Sequence, residues 1–101
     1  MEFRVGNGFD VHKLISGDSI ILCGVTIPHD KALSGHSDAD VGYHSICDAL
    51  YGALSQGDIG THFPATSKKW KNADSVIFLR HASNLVNKLG YKIMNIDTTF
   101  I

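Results

Sequence analysis

The stretch Ser37–Gly57, SDADVGYHSICDALYGALSQG, decides the fold. Its opening Ser37-Asp38-Ala39-Asp40 is an S-x-x-D capping signal, with Ser37 in the capping position. Behind it Tyr43, Ile46, Cys47, Leu50 and Leu54 recur at helical spacing, and Gly57 supplies a C-terminal stop. The spacing predicts an amphipathic helix from about residue 38 to about residue 56. Asp40, His44 and Asp48 fall at i, i+4 and i+8, a polar stripe beside the apolar one.

Working outward, Phe3 to His12 alternates. Phe3, Val5, Phe9 and Val11 share one face; Arg4, Gly6, Gly8, Asp10 and His12 share the other. That pattern predicts a half-buried strand, with the two glycines marking a close approach to the backbone. Leu14 to Asp18 reads as a loop. Ile20–Leu22 and Val25–Ile27 read as two short strands around a turn at Cys23-Gly24, closed by Pro28. On the other side of the central helix, Asp58 to Lys71 is a polar loop. A second helix is expected from near Asp74 to Leu89, with Phe78, Ala82, Leu85, Val86 and Leu89 on its apolar stripe and Gly90 after it. Tyr91 to Ile101 is β-rich and reads as a strand that the chain leaves in mid-course. The order predicts one α/β domain over residues 1–101, with helices layered on one face of a sheet.

The composition narrows the function. The 101 residues carry 44% apolar and 19% charged side chains and a net charge of −1. That is a globular balance with no electrostatic footprint for nucleic acid or an anionic membrane. Lys68-Lys69-Trp70-Lys71 reads as a solvated loop. The longest apolar run, Ile20–Cys23, is too short to span a bilayer, and the N-terminus has no apolar leader. Cys23 and Cys47 form no C-x-x-C and read as reduced thiols in a cytoplasmic protein. Six histidines are many for this length. His29 and His81 have no context and read as surface residues.

Asp10 and His12 lie at i and i+2 of a strand, on one face and about 7 Å apart at Cα. A third ligand must come from elsewhere, and His44 is best placed. Asp, His, His is a Zn²⁺ set that leaves a fourth position open for substrate. Asp48, one turn on, is expected to orient the His44 imidazole. Against this, D-x-H arises by chance in histidine-rich chains, and a helical histidine is more often a boundary residue. His36 and Ser37 precede a helix N-terminus, whose free N–H groups suit a phosphate; the plain alternative is that Ser37 is only a cap. Gly57–Gly60 with His62-Phe63-Pro64 is a glycine-rich loop of the kind that carries function.

Taken in order, G-x-G-F-D-V-H at Gly6–His12, G-H-S-D-A-D-V at Gly35–Val41 with His44 following, D-A-L at Asp48–Leu50, G-D-I-G at Gly57–Gly60, F-P at Phe63-Pro64, A-D-S at Ala73–Ser75 and G-Y-x-I-x-N-I-D at Gly90–Asp97 resemble the 2-C-methyl-D-erythritol 2,4-cyclodiphosphate synthases of the non-mevalonate isoprenoid pathway. The resemblance covers essentially the whole chain. It implies a cytoplasmic homotrimer of α+β subunits with shared active sites. Each subunit would carry a mixed four-stranded sheet, ferredoxin-like in its layering and backed by helices. It implies a metal-dependent phosphorus–oxygen lyase that cyclises 4-diphosphocytidyl-2-C-methyl-D-erythritol 2-phosphate and releases CMP. Asp10, His12 and His44 would be the zinc ligands and His36 the transition-state stabiliser. Asp10, Val11, His12, His36, Ser37, Asp58, Ile59, Gly60, Phe63, Pro64, Ala65, Thr66 and Ser67 would contact substrate. A Mg²⁺ or Mn²⁺ ion would accompany the diphosphate. Ala65 and Ser67 depart from the family's usual F-P-D-T-D. Family members run longer, and their cytidine loop, the glutamate ligand of the second ion and the last strand lie beyond the part matched here. The competing expectations are an inactive fragment, a small metal-binding module, or a metallophosphoesterase, whose G-D-x-x-D and G-N-H blocks are absent from this sequence.

Overall fold

The computed structural model describes residues 2–101. Its elements, in chain order, are β1 (Leu14–Ser16), β2 (Ser19–Leu22), β3 (Val25–Pro28), β4 (Lys31–Leu33), α1 (Val41–Ala53), a single turn α2 (Ile59–His62), a 3₁₀ turn (Lys68–Trp70) and α3 (Val76–Lys88). The α+β class expected from the sequence is what forms.

Both long helices lie where the periodicity puts them, trimmed at their ends. The α1 cap is Asp40, not Ser37: its carboxylate accepts from Tyr43 N. The carboxylate also accepts from Cys23 N at 2.8 Å and Gly24 N at 2.7 Å. Asp40 is fully buried. Cys23 and Gly24 both hold positive φ, 48° and 79°, the conformation of a tight two-residue hairpin turn. One carboxylate therefore starts the helix and clamps the β2–β3 hairpin to it. Cys47, Tyr51, Phe78 and Ala82 are the buried core between α1 and α3, with Leu50, Phe63, Trp70 and Leu85 packed around them.

The hairpin β2–β3 pairs Ser19 with Pro28 through Leu22 with Val25. Leu14–Ser16, expected as loop, instead pairs antiparallel with Lys31–Leu33. Three-residue strands of this sort have too short an alternation to be read from sequence.

Two expected strands differ from expectation. Neither 3–12 nor 91–101 joins a ladder; among the described residues the ladders are the two antiparallel pairs, not a mixed four-stranded sheet. Residues of both segments, Phe3 and Val5 with Ile93 and Met94 among them, line a common groove. The two are linked instead by side chains, Arg4 Nε donating to Tyr91 Oη at 2.8 Å. The alternation of 3–12 is real but its sides are exchanged. Phe3, Val5, Phe9 and Val11 are 72–92% exposed, and the glycine side lies on α1. A Cβ at Gly6 would fall 1.8 Å from Ala49 O, and one at Gly8 would fall 1.8 Å from Ser45 O. Only glycine allows that approach.

Candidate functional site

The glycine contacts fix how the 3–12 segment crosses α1, and so where its next residues go. Asp10 and His12 arrive beside His44 on the first turns of α1. Asp10 Oδ2 lies 2.9 Å from His12 Nε2 and 3.4 Å from His44 Nδ1. His44 Nδ1 lies 3.3 Å from His12 Nε2. One ligand atom from each residue thus faces a common point, and the trio could hold a metal ion. Burial pushes the Asp10 carboxyl up, but its interactions with His44 and His12 outweigh it and hold the group below its ordinary value. The carboxylate is the form a metal needs. His12 Nδ1 is buried with no hydrogen-bond partner among the described residues. A buried polar atom left so costs about 1–3 kcal/mol.

The far side of His44 is also occupied. Its Nε2 is 2.8 Å from Ser75 Oγ and 3.1 Å from Ser37 Oγ. Ser37, expected to meet substrate, stands at the metal-competent trio. Asp48, expected to orient His44, is placed otherwise: it accepts from Ile59 N at 2.8 Å. Helical side chains lean toward the helix N-terminus. The His44 ring therefore reaches past the start of α1, and Asp48 is left to tie down the 58–60 loop. Burial pushes the Asp48 carboxyl up.

His36 lies outside the trio. Its Nε2 donates to Ser67 O at 2.8 Å, and Asn72 N donates to its carbonyl. The structure thus brings His36 onto the far end of the Phe63–Ser67 segment. Asp58 caps α2 by accepting from Thr61 N and Thr61 Oγ1 at 2.8 and 2.9 Å; those bonds hold its carboxyl below the ordinary range. Ile59 and Gly60 follow in the same turn. Phe63 turns inward, its ring 4.6 Å from Phe78 and 4.9 Å from Trp70. Its side chain anchors the loop and leaves the outer surface to Pro64, Ala65 and Thr66, which are exposed. Val11 presents an exposed side chain and donates its N–H to Asp10 Oδ1 at 3.0 Å.

Sequence reasoning missed the Asp38–Ser75 contact. Asp38 accepts from Ser75 N at 2.9 Å and from Ser75 Oγ. It also accepts from Asp40 N, while Ala39 between them is held at φ 59° and is 2% exposed. A non-glycine residue keeps such a conformation only where neighbours over-determine it. The signal in the sequence was the A-D-S block at Ala73–Ser75, whose partner 37 residues away no spacing rule predicts.

Comparison with known proteins follows this geometry. The chain is 62% identical over 101 residues to the bifunctional enzyme IspD/IspF of Paracoccus denitrificans (strain Pd 1222), covering all of this chain and 27% of that one. It is 54% identical over 101 residues to the 2-C-methyl-D-erythritol 2,4-cyclodiphosphate synthase of Cereibacter sphaeroides (strain ATCC 17029 / ATH 2.4.9), covering all of this chain and 64% of that one. A solved 2C-methyl-D-erythritol-2,4-cyclodiphosphate synthase in its CDP-bound form superposes with a TM-score of 0.79 at 42% identity, over 86% of this chain and 58% of that one. The chain therefore spans about a quarter of the bifunctional relative and under two thirds of the single-function one. The model of the YgbB family matches from residue 3 to residue 101, across the glycine approach, the Asp10–His12–His44 trio and the loop tied by Asp48, and the chain belongs to the YgbB family.

Proposed function

We propose that this chain carries the metal- and phosphate-handling part of a 2-C-methyl-D-erythritol 2,4-cyclodiphosphate synthase, a phosphorus–oxygen lyase of isoprenoid biosynthesis. The substrate is 4-diphosphocytidyl-2-C-methyl-D-erythritol 2-phosphate. An oxygen of its 2-phosphate bonds to the β-phosphorus of the diphosphate as the bond to the CMP portion breaks. The cyclic diphosphate and CMP are the products. The attacking oxygen is already anionic, so the protein needs alignment and charge neutralisation rather than a general base.

The convergence of Asp10, His12 and His44 is the observation that carries this reading. Their ligand atoms are 2.9, 3.3 and 3.4 Å apart. A tetrahedral shell of Zn–N and Zn–O bonds about 2.0–2.1 Å long separates its ligand atoms by about 3.3 Å. The residues fit zinc, with one position left for substrate. When bound there, zinc polarises a phosphoryl oxygen and templates the crowded phosphates. His36, free of the zinc set and tied to Ser67 O through Nε2, meets the charge that develops on phosphorus oxygens with its other ring nitrogen. Ser37 adds a contact at the helix N-terminus. Asp58, Ile59 and Gly60 receive the methylerythritol portion, and Phe63–Ser67 line the same side through the backbone and the exposed Pro64–Thr66 edge. A second divalent ion, Mg²⁺ or Mn²⁺, would supply charge screening for the diphosphate.

The assembly is a homotrimer with sites shared between subunits. The exposed apolar side chains of Phe3, Val5, Phe9 and Val11 support it, because neighbouring exposed apolar residues suit an interaction surface. Among the described residues no helix is long and apolar enough to cross a membrane. A cytoplasmic location rests on the family resemblance alone.

The test is product identity with the full-length protein. CMP release without inorganic phosphate is expected. His44→Ala should lose zinc, and His36→Ala should keep zinc while turnover falls. Inorganic phosphate as product would refute the cyclase and favour an esterase.

A further inference from the structure

The His44 ring is gripped on both sides, and the inner side has no role in the reading above. Ser75 is fully buried. It stands at the N-cap of α3 yet makes no side-chain bond to that helix. A capping serine ordinarily accepts from the N–H two or three residues on. Here the hydroxyl is turned away, between Asp38 Oδ1 and His44 Nε2.

We propose that Asp38 and Ser75 are positioning residues that fix the proton of His44 on Nε2 and leave Nδ1 bare toward Asp10 and His12. The inference rests on the metal reading of that trio. On the Nε2 side the proton count leaves one arrangement. A carboxylate only accepts, and a hydroxyl has one hydrogen. Asp38 and Ser75 oxygens in contact without a proton between them would repel, so the Ser75 hydrogen goes to Asp38. The Ser75 oxygen then only accepts from His44, and Nε2 must carry the ring hydrogen. Ser37 Oγ, on the same nitrogen at 3.1 Å, accepts the weaker branch. A neutral ring protonated at Nε2 has its lone pair on Nδ1, the atom 3.4 Å from Asp10 and 3.3 Å from His12. The opposite tautomer would aim an N–H at the point where a cation sits. Carboxylates and hydroxyls behind a metal-bound imidazole act in this way on its affinity.

The experiment uses the full-length protein labelled with ¹⁵N in its imidazoles. Nitrogen shifts of the metal-free wild type should report the Nε2–H tautomer for His44. Ser75→Ala and Asp38→Asn should each show a mixed or reversed tautomer. In competition with a chelator, zinc affinity of Ser75→Ala should fall about 10- to 100-fold. A wild-type His44 protonated on Nδ1 overturns the proposal. So does a folded Ser75→Ala protein whose zinc affinity stays within about twofold of wild type, well inside the range just given. If both variants fail to fold, the wild-type spectrum alone decides. A wild type that takes up no zinc overturns the metal reading instead, while the tautomer still decides the relay.

Discussion

Replacing Gly8 by alanine sets a methyl group 1.8 Å from Ser45 O, 2.8 Å from Ser45 C and 2.9 Å from Ala49 N. All three are backbone atoms of α1 or its hydrogen-bond ladder, so no rotamer change relieves them. To bring the first contact out to the 3.0 Å that real Cβ atoms keep, the segment must lift off the helix by more than an ångström. Asp10 and His12 follow within four residues and must move with it. A metal shell tolerates ligand displacements of about 0.2 Å. Zinc affinity should therefore fall by about 100-fold or more, beyond the loss of an orienting partner. Overpacking adds about 1–3 kcal/mol of lost stability. Gly52→Ala is the control: it lies in the same helix, and the nearest atom to its Cβ, Asn7 O, is 4.0 Å away. That change should stabilise by about 0.5–1 kcal/mol and leave zinc untouched. Chelator competition and urea melts of both variants read the two effects. Wild-type zinc affinity in Gly8→Ala would refute the claim that this backbone contact sets the ligand positions.

Three further outcomes are expected. Asp40→Ala removes the acceptor for Cys23 N, Gly24 N and Tyr43 N, and should cost about 3–5 kcal/mol in urea unfolding; a loss under about 1 kcal/mol contradicts the clamp. Cys47 is 0% exposed and its thiol is pushed up to about 12, first by burial, so native protein at pH 7 should resist alkylation there until denatured, as peptide mass mapping reads. Burial, then repulsion from His62, holds the His81 imidazole below its ordinary 6.5; a depressed folded value means stability is whole above pH 6.5 and is lost as pH falls through the lower folded value. With chelator present throughout, His81→Gln should flatten the fall in urea midpoint between pH 7 and pH 5, and identical slopes would remove His81 from the account.

Legibility followed the length of each signal. The helices were plain because Tyr43, Ile46, Cys47, Leu50 and Leu54, and again Phe78, Ala82, Leu85, Val86 and Leu89, repeat over about three turns. The 3–12 segment was read as a half-buried strand; it joins no ladder, and its apolar side is the exposed one. Period 2 tells which residues share a side, not which side meets the core. Here two glycines outweighed four apolar residues, since only a bare Cα could reach α1. The Asp10–His12–His44 trio was legible because a strand and a helix each present ligands with fixed periods. Asp48 misled for a related reason: helical spacing puts it near His44 but says nothing of which way the ring leans. Asp38–Ser75 is a long-range polar contact with no period, and nothing local announces it. His81, read as a surface residue, is exposed yet hydrogen-bonded to Tyr51, with Nδ1 2.7 Å from Tyr51 Oη.

The ligand trio joins positions far apart along the chain: His12 and His44 are 32 residues apart. An ion held by both would close a loop of that length in every conformation where it stays bound. By the chain-entropy estimate for a cross-link, such a loop withdraws about 3.7 kcal/mol of freedom from the unfolded ensemble. The clasp spans β1 through β4, so the two short ladders, which have few residues each to hold them, lie inside the closed loop. An ion recruited for phosphate chemistry would in this way also act as a cross-link. Chelation would then loosen the four small strands that no catalytic step touches.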